Sequence, residues 1–208
     1  MEYIEQIKSW LGTALSKETG SITESFYYDT AGKMFFSIMA FDYMMFDELG
    51  NRNHGVSASY SNDEMNAIGA WIERIEIEAA DIISIERIGL QERKDVMQQF
   101  VNDIARPALA DALQQQVYNQ DYNTRFEFYF GEEADPDTKQ QWEDIRALFL
   151  QQRIEHFLAL HNIDLVTTSL WLPGNHSTSI TILVNDSITD GQAEEKSLPK
   201  KKWWNFWA

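Results

Sequence analysis

The sequence predicts an α+β protein, with a mostly antiparallel sheet of about five strands and three or four helices packed against one face of it. Three observations lead to this fold class. Segments with helical periodicity stand on both sides of segments with strand-like alternation. The two kinds of segment are partly segregated along the chain, which is typical of α+β folds. No internal repeat with a period of about 20–50 residues is present.

The first part of the chain predicts one helix followed by β structure. Residues 3–18 form an amphipathic helix that ends at Gly20, because apolar side chains recur at helical spacing: Ile4, Ile7, Leu11 and Leu15. Residues 33–46 predict β structure, since apolar side chains occupy both alternating faces, as in a strand covered on two sides. Residues 50–55 have the composition of a loop, and residues 56–60 return as a short strand.

Two helices are predicted in the middle of the chain. Ser61 and Glu64 have the spacing of a capping box, in which each side chain binds a free backbone N–H at the start of a helix. The apolar face of this helix continues to Ile82, and Gly89 provides a C-terminal cap. A second helical pattern covers residues 97–108. Pro107 lacks the N–H that a continuous helix requires, so the helix kinks or restarts there.

A strand, a long helix and a hairpin follow. Residues 124–130 place three phenylalanines on one face of a strand. Asp135 and Pro136 start a helix that continues to about His161, because aspartate caps helices and proline fits their first turn. Strands over residues 163–172 and 178–184 flank a segment rich in turn-forming residues, which predicts a hairpin.

The chain is predicted to consist of one domain and two short segments. Residues 1–184 form a single acidic α+β domain, residues 185–199 a polar linker, and residues 200–208 a flexible basic–aromatic tail. The tail carries three lysines, four aromatic rings and no carboxylate. The whole chain has 17 basic and 33 acidic side chains and a net charge of −16. Positive charge is therefore gathered at one extremity of an acidic protein.

Composition excludes several classes of function. Strong acidity disfavours nucleic-acid binding, which depends on lysine and arginine at the phosphates. The absence of cysteine removes disulfides and thiolate chemistry, and it fits a reducing compartment. Charges near Met1 leave no signal peptide, and the longest apolar run, residues 34–46, is too short to span a bilayer. We therefore expect a cytoplasmic protein, at most peripheral to the inner face of a membrane.

The tail supplies the sharpest functional clue, because clustered apolar rings at a surface mark interaction sites. One receiver is a membrane, since indoles favour the lipid–water boundary and lysines are drawn to anionic lipid. A second is a groove on a partner protein, where aromatic side chains serve as anchors. A third is the chain's own acidic domain. The residues predicted to bind a partner or a membrane are Lys200, Lys201, Lys202, Trp203, Trp204, Phe206 and Trp207.

An acidic run in the middle of the chain is the second candidate. It consists of Glu73, Glu76, Glu78 and Asp81. Carboxylates at this spacing share a helix face, which is either a solvated surface or a contact surface for a basic partner. No histidine stands at the Glu-x-x-His offset of helical di-metal sites, so we expect no metal here.

The four histidines do not form a convincing catalytic pattern. His156 and His161 lie five residues apart on one helix, about 140° around its axis, and so do not converge. We expect His156 to be partly buried rather than catalytic. His54 and His176 stand in predicted loops and would form a site only if those loops met. The common nucleotide, zinc-protease and α/β-hydrolase motifs are absent.

The sequence thus favours a non-enzymatic protein that acts by binding. Its acidic body would recognise a protein partner, most simply a basic one, with the tail as a second attachment, as in an inhibitor, an immunity-type neutraliser or an adaptor. A peripheral membrane protein held by the tail is the first alternative, and an enzyme with an unrecognised active site is the second. We expect no catalytic residue, cofactor or metal, and the sequence leaves the oligomeric state open.

Overall fold

The computed structural model of the chain describes residues 2–16, 24–47, 50–53, 56–57, 60–103, 107–119, 126–131, 134–172 and 181–182. Within these residues the fold is α+β, with six helices and a four-stranded mixed sheet. The helices are α1 (Glu2–Ser16), α2 (Ala40–Met44), α3 (Asn62–Glu76), α4 (Leu90–Asp103), α5 (Pro107–Tyr118) and α6 (Pro136–Leu160). The strands are β1 (Glu24–Asp29), β2 (Met34–Met39), β3 (Val56–Ser57), β4 (Ile82–Ser84), β5 (Ser169–Leu170) and β6 (Thr181–Ile182).

The main sheet has the strand order β4-β1-β2-β5. β1 pairs antiparallel with β2, so that Tyr28 faces Phe35, and antiparallel with β4 on its other side. β5 is the exception, because it pairs parallel with β2. A separate two-stranded sheet joins β3 to β6 in antiparallel orientation. The predicted antiparallel character therefore holds for three of the four strands in the main sheet.

Helices cover both faces of this sheet, which corrects the prediction of helices on one face. On the first face, Phe26, Tyr28 and Phe35 form one apolar cluster with residues of α1 and α6. On the second face, Phe36 and Ile38 pack against α3, and the Phe36 ring stacks on Trp71 with centroids 4.2 Å apart. Because strand side chains alternate between faces, adjacent residues of β2 belong to different cores.

A third apolar cluster lies between α4, α5 and α6. Its centre is Trp142, which is 1% exposed and is surrounded by the rings of Phe100, Phe126 and Phe128. The partly buried ring of Phe149 contacts both this cluster and the core on the first face of the sheet. α6 therefore links the α4–α5 pair to the sheet.

Two predicted elements end earlier than the apolar pattern indicates. The β structure predicted over residues 33–46 stops at Met39, where Asp42 accepts the backbone N–H of Met39 at 2.7 Å and starts the short helix α2. The helix that begins after Ser61 stops at Glu76, not near Gly89. Its end is closed by a hydrogen bond from the N–H of Ala79 to the carbonyl of Arg74, and Ile82 then lies in β4.

The segment predicted as the clearest strand is not paired with any described strand. Over residues 126–131 the alternation is real, since Phe126 and Phe128 are buried and Tyr129 is 91% exposed. The backbone of Tyr129 is instead held by the side chain of Gln116 on α5, which accepts its N–H and donates to its carbonyl. Extended backbone packed against helices thus shows the same alternation as a sheet strand.

The remaining predictions have mixed outcomes. The N-terminal helix, the capping box of Ser61 and Glu64, the restart at Pro107 and the helix start at Asp135 are confirmed. β1 was not predicted. Residues 173–180 of the predicted hairpin lie outside the described residues, and its two described strand segments have other partners, since β5 pairs with β2 and β6 pairs with β3. The predicted count of three or four helices is too low. The linker over residues 185–199 and the tail over residues 200–208 lie outside the described residues.

Candidate functional site

The end of α3 carries most of the predicted acidic run. Glu73 and Glu76 are exposed on its last turn, and Glu78 is exposed in the turn that follows. Asp81 lies just before β4 and differs from the others, because its carboxylate accepts a hydrogen bond from Arg74 at 2.7 Å. The structure therefore separates the four residues into three that are exposed and one that is bound internally.

The guanidinium of Arg74 donates hydrogen bonds to two carboxylates of the protein itself. Its two terminal nitrogens donate to the two oxygens of Asp29, at 2.6 and 2.9 Å, and the second nitrogen also reaches Asp81. Asp29 is buried on the second face of the sheet, where it also accepts the N–H of Gly32. Above all because Arg74 hydrogen-bonds to it, the pKa of Asp29 is lowered to about 2. The positive charge of Arg74 is thus matched by two carboxylates.

The end of α3 has a strongly negative local environment. The C-terminal end of a helix carries partial negative charge, where cations are stabilising and carboxylates are not. The only basic residue in the last turn is Arg74, and its charge is already neutralised. Glu73, Glu76 and Glu78 add their charges to the helix end without compensation from Arg74.

Two backbone and surface features distinguish this end further. Glu78 has a φ of +52°, in the left-handed region that favours glycine. Ile77, between Glu76 and Glu78, is 70% exposed. We call the surface formed by Glu73, Glu76, Ile77 and Glu78 the acidic end of α3. It combines negative charge, an exposed apolar side chain and a conformation that a glutamate adopts at a cost.

One phenol of α2, Tyr43, is partly buried. Tyr43 packs with the apolar cluster on the second face of the sheet. Burial raises the pKa of the Tyr43 phenol, with further increases from its interactions with Tyr27 and from the nearby charge of Glu76.

A second buried carboxylate serves the fold. Asp42 is 2% exposed, and it accepts hydrogen bonds from the Met39 N–H and, at 3.0 Å, from the Tyr60 hydroxyl. Burial raises the pKa of Asp42, while these two donors oppose the rise. Its partners tie α2 to β2 and to the residue before the cap of α3. This arrangement explains the short helix.

Of the four histidines, the described residues include His156 and His161. His156 is exposed, so the expectation that it is partly buried is wrong. α6 buries different sides along its length: Trp142 faces the α4–α5 cluster, whereas Ile154 faces the core beside α1. His161 lies against the ring of Phe157, with centroids 4.7 Å apart. His54 and His176 lie outside the described residues.

Two searches of the described residues give negative results. Among them, no group of three or more histidine, aspartate or glutamate side chains is placed to hold a metal ion. In the same part of the chain, none of the helices has the length and apolar character needed to cross a bilayer.

Comparison of the chain with protein-family models, with curated proteins and with solved structures found no match.

Sequence reasoning identified the carboxylates of this surface but missed the residues that define it. One signal was present: Arg74 is the one basic residue between Arg52 and Arg87, and it stands inside the acidic run. A lone arginine among carboxylates is a natural internal ion partner. The exposure of Ile77 and the left-handed conformation of Glu78 depend on where the helix ends, and the apolar pattern placed that end too late.

Proposed function

We propose that the protein is a non-enzymatic binding protein whose acidic body recognises a basic protein partner, and that the acidic end of α3 is the contact surface. An inhibitor, an immunity-type neutraliser or an adaptor would work in this way. The tail, residues 200–208, supplies a second attachment on the evidence of its sequence. Because the chain lacks cysteine, we place this binding in the cytoplasm.

One observation carries the proposal: three exposed carboxylates stand at the negative end of a helix, and Arg74, the one basic residue in the last turn of that helix, already binds Asp29 and Asp81. Each of these three carboxylates disfavours folding slightly, because it is repelled by the other two and by the negative end of the helix. A basic partner would reverse the sign of all three contributions. Complementary charge of this kind speeds association and selects the partner.

The exposed Ile77 supports a protein partner over a simple counterion. An apolar side chain surrounded by charges resembles the arrangement of an interface, where an apolar centre is enclosed by a polar rim. Burying Ile77 would add an apolar contribution that salt does not screen. The proposal therefore predicts that the affinity falls steeply as salt is added. A smaller part of the binding free energy should persist at high salt.

The first test replaces the three carboxylates by glutamine in the full chain: Glu73→Gln, Glu76→Gln and Glu78→Gln together. The probe is a synthetic deca-lysine peptide, with affinity measured by calorimetry at low and high salt. Because each exposed ion pair contributes up to about 1 kcal/mol, we expect roughly tenfold weaker binding at low salt. At high salt the difference from the original chain should become small.

A matched control has the same change in net charge at other exposed positions: Glu86→Gln, Asp103→Asn and Asp111→Asn together. We expect this control to weaken binding less than threefold, because these residues lie outside α3 and the turn that follows it. Equal losses in the two triple variants would show that only net charge matters, and the contact surface would then be wrongly placed.

The second test uses the backbone strain at Glu78. Glycine adopts a φ of +52° without steric cost, and Glu78→Gly also removes a carboxylate from the negative helix end. We expect the free energy of unfolding to rise by about 1 kcal/mol while deca-lysine binding weakens by about twofold. Chemical denaturation and calorimetry measure the two effects. A variant that is both more stable and binds equally well would deny Glu78 a functional role.

A further inference from the structure

Asp42 is a buried carboxylate that has no cation paired with it. It is 2% exposed, and its two oxygens are engaged separately: Oδ2 accepts the backbone N–H of Met39 at 2.7 Å, and Oδ1 accepts the hydroxyl of Tyr60 at 3.0 Å. Within the described part of the chain, none of the ion pairs involves Asp42. These two hydrogen bonds must therefore offset the hydration that the ionised carboxylate loses on burial.

Asp29, which is also buried, has the opposite environment. It is 5% exposed, but both of its oxygens accept hydrogen bonds from the guanidinium of Arg74, which lowers its pKa. The charge near Asp42 is of the same sign as its own, since Glu24 of β1 adds to the rise that burial causes in the pKa of Asp42. The fold therefore favours the ionised form of Asp29, whereas it favours the neutral form of Asp42 relative to an exposed aspartate.

Two tyrosines and two glutamates are the titratable neighbours that act on Asp42 and Tyr60. Burial raises the pKa of the Tyr60 phenol and of the Tyr43 phenol, and the charge of Asp42 raises both further, so both stay protonated from acid to neutral pH. Glu24 faces Asp42 from β1, and the charge of Glu64 on α3 acts on Tyr60. Both glutamates are only partly buried, so Asp42 is the buried carboxylate of this group.

Protonation of Asp42 can leave both of its hydrogen bonds in place. A proton on Oδ1 reverses the bond to Tyr60, so that the carboxyl donates and the phenol oxygen accepts. Oδ2 continues to accept the N–H of Met39. The neutral acid therefore keeps two hydrogen bonds and no longer buries a charge.

These bonds join three parts of the fold. Met39 is the last residue of β2, Asp42 lies in α2, and Tyr60 precedes Ser61, which caps α3. Met45 directly follows α2, donates its N–H to the carbonyl of Asp42 and is 1% exposed. We call the connection between Met39, Asp42 and Tyr60 the Asp42 junction. Opening it would hydrate the carboxylate, which is a larger gain for the ionised form than for the neutral form.

We propose that Asp42 is a pH-sensitive switch that controls how often the Asp42 junction opens. When the carboxyl is ionised, the junction opens more often and α2 separates from the end of β2 and from the start of α3. When Asp42 takes up a proton from solvent, the junction stays closed. This switch acts within the domain and does not require the contact surface proposed for a basic partner.

The direction of the pH dependence follows from the two states of Asp42. Its ordinary pKa is 3.8, which applies once the junction is open, whereas burial raises the pKa in the closed state. The closed state therefore binds the proton more tightly, and closing is favoured as the pH falls. This gain is complete only below 3.8 and is lost as the pH rises through the pKa of the closed state.

The first test measures the titration of Asp42 in the full chain. Carbon-13 NMR of the labelled protein follows its side-chain carboxyl from acid to neutral pH. We expect a midpoint above 3.8, and Tyr60→Phe should raise it further, because the carboxylate then loses a donor. Tyr43→Phe is the matched control, since the Tyr43 phenol interacts with Tyr27, and it should leave the midpoint nearly unchanged. A midpoint at or below 3.8 in the original chain, or equal midpoints in the two variants, would overturn the switch.

The second test measures opening by hydrogen exchange at the amides of Met39 and Met45. Asp42→Asn imitates the neutral acid, because its oxygen can accept from Met39 while its nitrogen donates to Tyr60. At neutral pH we expect exchange at both amides to be at least about threefold slower than in the original chain, since a difference of one between the two pKa values corresponds to about tenfold. The difference should disappear as the pH falls below 3.8.

Asp111→Asn, at an exposed position of α5, is the control for the exchange measurement and should match the original chain. Exchange in Asp42→Asn that is as fast as in the original chain at neutral pH, or a difference that does not change with pH, would contradict the switch. Should Asp42→Asn fail to fold, the midpoint of Asp42 in the original chain and in Tyr60→Phe still decides.

Discussion

Replacing Arg74 by methionine should lower the free energy of unfolding by about 3 kcal/mol, because it leaves Asp29 buried without its cation. Asp29 would keep only the N–H groups of Gly32 and Trp71 as donors, the latter at 3.4 Å. Methionine preserves most of the side-chain volume, so the effect reports the charge and not a cavity. Urea denaturation at neutral pH measures it.

The same pair predicts the pH dependence of this loss. The pKa of Asp29 is about 2 in the folded chain, whereas its ordinary value is 3.8, so its stabilising contribution is nearly complete only above about pH 5. That contribution, about 2 kcal/mol, is lost as the pH falls toward 2. The difference in stability between the original chain and Arg74→Met should therefore narrow over this interval.

Arg52 provides the matched control for Arg74. It also makes three hydrogen bonds to a helix, but its acceptors are the neutral groups of Asn62 and Asn66 at an exposed site. Water can replace Arg52, so Arg52→Met should cost only about 1 kcal/mol. Equal costs at the two positions, or a cost at Arg74 that does not change with pH, would contradict the role given to Asp29.

Replacing Trp142 by alanine should destabilise the protein by about 4 kcal/mol. Trp142 is the largest fully buried side chain, and it contacts three phenylalanine rings at centroid distances of 4.7–5.6 Å. Removing it opens a cavity that rigid aromatic neighbours cannot fill. Because α6 links this cluster to the sheet core through Phe149, the whole domain should unfold at a lower denaturant concentration.

Two further substitutions, one at Trp142 and one at Leu148, separate the causes of this loss of stability. Its Nε1–H is buried and has no hydrogen-bond partner within the described part of the protein. Trp142→Phe removes that donor together with part of the ring, and we expect a cost of only about 1–2 kcal/mol. Leu148→Ala, at a site 55% exposed on the same helix, should cost less than about 0.5 kcal/mol. A larger loss at Leu148 than at Trp142 would contradict the described packing.

Local signals in the sequence predicted helix starts well. Ser61 accepts the N–H of Glu64, and Asp135 accepts the N–H of Thr138, as their cap positions predict. These starts depend on side chains a few residues apart, so the sequence contains all the information they need. Helix ends were harder to place. α3 ends through backbone bonds around Glu78, a residue type that does not mark a left-handed turn.

Pairing between distant segments was the main source of error. The stretch from Phe126 to Phe130 alternates like a strand but packs on helices, whereas β1 shows a weak pattern and forms the centre of the sheet. Alternation records which side chains are buried and not which strand is the neighbour. The expectation that residues 33–46 are covered on two sides was correct for β2, although the predicted arrangement of helices was not.

For the acidic surface, too, some features could be predicted from the sequence and others depend on contacts between distant residues. Its carboxylates could be named from the sequence, since charge is a property of residue type. The ion pair of Asp81 with Arg74 forms at a site that Asp29, 45 residues away from Arg74, also occupies, and the exposure of Ile77 depends on where α3 ends. Which side chains are exposed and which are bound internally depends on contacts between distant residues, and these contacts are seen only in the structure.

The most direct test is an NMR titration of the labelled full-length chain with deca-lysine at low salt. If the acidic end of α3 is the contact surface, amide shifts should be largest from Glu73 to Ala79 and should collapse at high salt. Shifts of equal size around Glu86, Asp103 and Asp111 would show that the peptide binds the acidic body without preference, and the proposed surface would have to be abandoned.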